Sequence, residues 1–192
     1  ISQFDTFTEY VYQGYVHIIP KGLDHILFVL ALFLLARKTS TLLWQISIFT
    51  LAHTITLALG IFNIINLPGS FVEPLIALSI AYVAIENIFQ QKLTRSRLPI
   101  IFAFGLLHGL GFASVLIELG LQPQQFVTSL IAFNIGVEVG QLTVVLVAFS
   151  LLYWFYKKEW YQQRIVTPLS IAIALVGLYW FLERVLPIQF IS

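Results

Sequence analysis

Apolar runs of membrane-crossing length recur along the chain, each interrupted by a few polar side chains and separated by short polar loops. A helix needs about 20 apolar residues to cross a hydrocarbon core about 30 Å thick. Six segments meet that demand, at about 18–36, 42–62, 71–89, 98–119, 126–155 and 165–186. The fifth is long enough to tilt or to begin as an interfacial helix. Residues 1–16, aromatic and mildly polar, suit either a segment lying in the headgroup zone or a loose N-terminal arm. The pattern predicts one all-α, polytopic transmembrane domain spanning 1–192, with six transmembrane helices.

Composition supports this and narrows the chemistry. The 192 residues are 59% hydrophobic and 10% charged, with a mean hydropathy of +0.91. Soluble domains carry about 25% charged residues, so a water-soluble fold is excluded. A net charge of +1, with basic residues confined to short loops, leaves no face for nucleic acid. Cysteine is absent, so any metal must be held by nitrogen and oxygen. The chain starts at Ile1 and contains no methionine, which reads as a mature form from which a signal peptide has been removed.

Lysine and arginine set the orientation. Arg37 and Lys38 follow the first span. Lys92, Arg95 and Arg97 follow the third, and Lys157, Lys158 and Arg164 follow the fifth. Only Lys21 and Arg184 remain for the other side, a split of eight against two. The positive-inside rule therefore predicts cytoplasmic placement of these three loops and outward-facing termini, in the inner membrane of a bacterium.

The polar residues left inside the spans are few and chemically alike. His25 follows Asp24 at the head of the first span, His53 interrupts the second and His108 the fourth. Asn134, Glu138 and Gln141 fall at i, i+4 and i+7 and form one stripe along the fifth. Ionisable groups in hydrocarbon cost at least about 2.5 kcal/mol each at a helix centre, so a chain keeps few without a use. Imidazole with carboxylate is a donor set suited to borderline divalent cations such as nickel or zinc. Counted along the helices, these groups converge on the outer half of the bilayer, with Glu86 as a candidate inner station. Thr50 and Thr54 share a helix face with His53, where hydroxyls could orient the ring. Asp24 also suits the first turn of a helix by the dipole, and Glu73, before Pro74, suits a helix cap. Glu118 and Glu183 read as interfacial groups.

Gly105 to Gly109 brackets His108, and Gly136 to Gly140 brackets Glu138, both in the small-xxx-small spacing that lets helices approach closely in lipid. The two patterns predict that His108 and Glu138 are turned inward toward one another. Gly22-Leu-Asp-His25 also resembles Gly105-Leu-Leu-His108, opening spans that run in opposite directions. That likeness is what a 3+3 inverted repeat would produce. No nucleophile elbow, glycine-rich phosphate loop or HExxH motif is present.

Five segments carry a family likeness: HIIPKGLDHILFVLALFLL (17–35), FTLAHTITLAL (49–59), VEPLIALSIAYVAIEN (72–87), FGLLHGLGFA (104–113) and FNIGVEVGQL (133–142). In this order they resemble the HupE/UreJ family of hydrogenase and urease accessory membrane proteins. Ile18 and Ile19 separate His17 from Pro20, unlike the histidine–proline motif of the better-known branch, and the later motifs are similar to the second branch. The resemblance implies a small polytopic protein that takes up nickel, or a related divalent metal, for metalloenzyme maturation. It places the family's polar signature on His17, Asp24, His25, His53, Glu86, His108, Asn134 and Glu138.

The expected metal ligands are therefore Asp24, His25, His53, His108 and Glu138, with His17, Thr54, Glu86, Asn134 and Gln141 as further candidates. The leading expectation is a permease or binding protein for Ni²⁺ or Zn²⁺, with Co²⁺ and Cu²⁺ as alternatives. Its partners would be membrane lipid, the metal ion and a cytoplasmic metallochaperone. A competing expectation is an intramembrane zinc hydrolase acting on a lipid or embedded peptide, with Glu138 or Asp24 as general base. A sensor or chaperone that binds metal without transporting it is the third.

Overall fold

The computed structural model describes residues 3–36, 38–90, 92–94, 96–118 and 125–186; the side chains of 113–118, and the residues Arg37 and Arg95 counted above, lie outside that description. Among the described residues seven α-helices follow in order: α1 (Gln3–Ile18), α2 (Leu23–Leu35), α3 (Thr39–Ile61), α4 (Gly69–Phe89), α5 (Arg97–Glu118), α6 (Phe126–Leu152) and α7 (Thr167–Val185). A short π-type stretch, Gln162–Val166, leads into α7. No strand occurs among the described residues.

The N-terminal segment is helical, and α1 packs along α6. The first expected span, 18–36, is broken. Pro20 carries no N–H to continue a helix, so α1 ends at Ile18 and α2 begins at Leu23, bent by 72°. With 13 residues, α2 is about 20 Å long and too short to cross alone. Among the described residues, four segments are long and apolar enough to cross a membrane: Thr39–Ile61, Gly69–Phe89, Phe126–Leu152 and Gln162–Val185. A fifth results if the bent pair α1–α2 is one span. The protein is thus an all-helical, multi-pass membrane protein with four to five candidate spans.

Side-chain contacts fix how the helices run. Phe62 after α3 packs against Phe126 at the start of α6, with ring centroids 4.4 Å apart. Arg184 near the end of α7 donates to the carbonyl of Glu73 near the start of α4 (2.8 Å). Thr6 in α1 bonds Gln125, just before α6. The described chain therefore begins and ends at the same end of the bundle. The opposite end gathers the turn from α2 to α3, the α4–α5 loop and the stretch after α6.

Glycines set the closest approaches. A Cβ on Gly105 would lie 2.8 Å from that of Ala52, and one on Gly109 would collide with the carbonyl of His53. Gly136 abuts the backbone of α1 at Val11 and Gly14, and Gly140 abuts Ile18. The two small-residue patterns thus meet different partners: α5 lies against α3, and α6 against α1. They do not set His108 against Glu138.

Two sequence expectations are corrected. Glu73 is not a helix cap, because α4 starts at Gly69 after Pro68 and holds Pro74 inside it. Arg97 is not a loop cation. It opens α5 and is the largest fully buried side chain, 2% exposed. Removing it from the loops leaves seven cations against two in the count from which the orientation was expected.

Candidate metal centre

The break between α1 and α2 brings the first ligands together. Gly22 lets the start of α2 press on the end of α1, where a Cβ would collide with the carbonyl of His17. His17 and His25 then lie with ring centroids 4.8 Å apart. From α3, His53 stands 5.7 Å from His25. From α5, His108 stands 4.8 Å from His25 on its other side. Gly109, closing α5 onto the carbonyl of His53, is what lets the last two helices converge there.

His25, His53 and His108 are buried, at 2%, 0% and 1% exposure. Each commits one ring nitrogen to an oxygen. Asp24 Oδ1 takes both the backbone N–H of His25 (2.9 Å) and its Nδ1–H (3.1 Å), so one oxygen caps the helix start and orients the ring. Asn134 gives its amide N–H to the Leu130 carbonyl (2.8 Å) and so presents Oδ1 to Nδ1–H of His53 (3.3 Å). Ser79 gives its proton to the Ile76 carbonyl (2.7 Å) and so accepts from Nε2–H of His108 (3.1 Å). These acceptors fix the tautomers. The remaining nitrogens, Nε2 of His25, Nε2 of His53 and Nδ1 of His108, are buried without a partner, as is Nε2 of His17.

A buried polar atom with no partner costs about 1–3 kcal/mol. Four at one place mark a site built for a ligand that accepts lone pairs. A divalent metal ion fits. Donor atoms of His17, His25 and His53 lie within 4.8 Å of one another, as do those of Asp24, His25 and His108. Around a tetrahedral ion, two such donors sit about 3.4 Å apart, so each trio closes by little on binding. Ligating histidines are also held through their second nitrogen by a carboxylate, carbonyl or similar acceptor, as three are here.

Aromatic rings wall the centre. Phe112 lies 3.8 Å from the His17 ring, and Phe49 and Phe28 lie 5.0 and 5.3 Å from His108. A cavity of about 300 Å³, bordered by Gln13, Lys21 and Phe112, reaches His17 and Asp24.

The expected site residues divide as follows. His17, Asp24, His25, His53 and His108 come together, and Asn134 joins them by holding His53. Glu138 is one helical turn beyond Asn134 and accepts from Ser47 (2.8 Å). Gln141 accepts from Thr50 (3.0 Å). Thr54 bonds the carbonyl of Thr50 (2.7 Å), leaving His53 to Asn134. Glu86 is held by Arg97 Nη1 (2.6 Å) and by Thr94 (3.1 Å).

Sequence reasoning missed the link between Ser79 and His108. It also missed the packing of the Phe112 ring against His17.

The architecture and centre define a class: an all-helical, multi-pass membrane protein with an imidazole-rich centre enclosed by its helices. The chain belongs to the HupE/UreJ family, whose description, HupE / UreJ protein, matches residues 2–184. Membership makes it a metal-related accessory membrane protein. No curated protein and no solved structure matches the chain.

Proposed function

We propose that the protein is a permease for a divalent transition metal that supplies metalloenzyme maturation, with nickel as the first candidate and zinc, cobalt or copper as alternatives. The observation that carries this reading is the set of four buried imidazole nitrogens without partners, three of them aimed by Asp24, Asn134 and Ser79. In this reading the bent pair α1–α2 and the helices α3 to α7 make six passes in the bacterial inner membrane, and the cavity at His17 and Asp24 faces outward. The cation is cargo. It sheds water against Asp24 and His17, and is held by His25 together with His53 or His108. Reversible, multi-site binding suits conduction better than a closed tetrahedral cage. A cytoplasmic metallochaperone would receive the ion.

A hydrolase reading gains less support. Its two candidate bases are engaged, Asp24 with His25 and Glu138 with Ser47.

The test is uptake into proteoliposomes loaded with a metal-sensitive dye. Wild type should admit Ni²⁺ or Zn²⁺ faster than the His53→Ala/His108→Ala double variant. Equal rates would refute transport through this centre.

A further inference from the structure

The histidine centre is not the only polar cluster between the helices. Arg97 is 2% exposed and makes three directed bonds. Its Nε donates to Gln45 Oε1 on α3 (3.0 Å), Nη1 to Glu86 Oε2 (2.6 Å) and Nη2 to Asn87 Oδ1 (3.2 Å), both on α4. Asn87 in turn donates to the Ala31 carbonyl on α2 (2.7 Å) and to Ser170 on α7 (3.4 Å). One guanidinium therefore ties together five of the seven helices.

Its placement follows from helix rise. Arg97 precedes His108 by eleven residues on α5, about 16 Å. Gln45 precedes His53 by eight on α3, about 12 Å. Glu86 follows Ser79, the partner of His108, by seven on α4, about 10 Å. Ala31 follows His25 by six on α2, about 9 Å. The helices that build the histidine centre thus build the arginine cluster directly beneath it, toward the loops rich in lysine and arginine. Buried apolar side chains, Phe28, Phe49, Ile46, Ile80 and Ile101, fill the space between.

A cation leaving the histidines in that direction meets an apolar layer and then a fixed positive charge in a medium of low dielectric. Like charges there repel far more strongly than in water. The carboxylate bonded within that cluster is Glu86, and the ion pair with Arg97 occupies it, whereas Glu138 is held by Ser47 on the neighbouring turn of α3. An exchange of partners is available: if Arg97 swings away, Glu86 can accept the cation in its place.

Resting on the permease reading, we propose that the Arg97–Glu86 pair is the inner latch of the metal path: Arg97 closes it, and Glu86 receives the departing ion when the pair opens. Gln45 and Asn87 hold the guanidinium in the closed position. A purely structural arginine would make the same bonds, so the test must separate flux from binding and folding.

Two measurements on the full chain do so: equilibrium dialysis of Ni²⁺ or Zn²⁺ against detergent-solubilised protein, and dye-reported influx in proteoliposomes. Arg97→Gln should leave metal affinity within about twofold of wild type while raising influx about tenfold, a factor that matches about 1.4 kcal/mol of lost barrier. Glu86→Gln should keep affinity and lower influx at least about fivefold. Arg97→Lys, which keeps the charge but loses the three-pronged grip, serves if the glutamine variant does not fold, and should raise influx by a smaller factor. Unchanged or reduced influx in the folded arginine variant, with metal binding retained, overturns the latch. If wild type transports and these variants do not differ from it, only the latch falls. If neither wild type nor the arginine variant admits metal although both bind it, the permease reading falls as well.

Discussion

The histidine centre and the arginine cluster lie on the same helices and are equally buried, yet their hydrogen-bond accounts differ. Arg97 has a partner on each of three nitrogens, and the residues it touches are themselves engaged. Each of the four histidines has a buried nitrogen that touches nothing polar. A satisfied cluster of this kind holds helices in register. An unsatisfied one raises the energy of the empty protein and lowers it again when a ligand arrives. The tie between the helices and the open ligand site are thus placed on different rungs of one bundle, and the difference can be measured.

The largest effect should come from the satisfied side. Arg97→Met removes a buried cation and leaves Glu86 as an uncompensated charge, beside Gln45 and Asn87 without their donor. Breaking one side of a buried ion pair costs about 3–5 kcal/mol. Thermal unfolding in detergent should show a loss of that order without added metal. A melting point like that of wild type would mean the cluster is not a structural tie.

His25 is common to both groups of metal donors. Its removal should therefore weaken metal binding by more than the 10–100-fold typical of losing an outer-shell partner. Equilibrium dialysis of the His25→Ala variant is the check, and affinity within tenfold of wild type would show that the ion is held elsewhere. Asn134→Ala should fall in the 10–100-fold range, because it only orients His53 and fixes its tautomer. An effect equal to that of His25→Ala would make Asn134 a direct ligand.

Much of this contrast was legible in the sequence, and the reason differs by element. Histidines in apolar runs stand out because their burial is expensive, so His25, His53 and His108 were visible without coordinates. Their convergence at one depth followed from helix rise and loop charge. His17 was harder, because its approach depends on the bend at Pro20 and the close contact at Gly22, which no periodicity encodes. Glu138 was drawn toward the site by the glycine pattern around it. Those glycines face α1, and the carboxylate rests on Ser47 instead. Arg97 was misread for a sound reason: an arginine beside a loop at the end of an apolar span is ordinarily a solvated anchor. The signal against that reading was the adjacent pair Glu86-Asn87 at the end of the preceding helix, the acceptors that allow a guanidinium to be buried.

The smallest expected effect is the most diagnostic. His108→Leu replaces an imidazole that carries one satisfied and one orphaned nitrogen with an apolar side chain of similar bulk. Ser79 loses a donor to its hydroxyl oxygen but keeps its own bond to the Ile76 carbonyl, so no buried proton is stranded. The orphaned Nδ1 disappears, and with it a desolvation cost of about 1–3 kcal/mol. Without metal, the variant should be as stable as wild type or more stable by about 1 kcal/mol. With metal at about 100 times the dissociation constant, wild type should gain about 2.7 kcal/mol by ligand linkage. A variant whose site is broken should gain far less. The order of the two melting points should then reverse on adding the ion. If His108→Leu is less stable than wild type in metal-free buffer by as much as Arg97→Met, the imidazoles are structural ties like the arginine, and the contrast between the two clusters is lost.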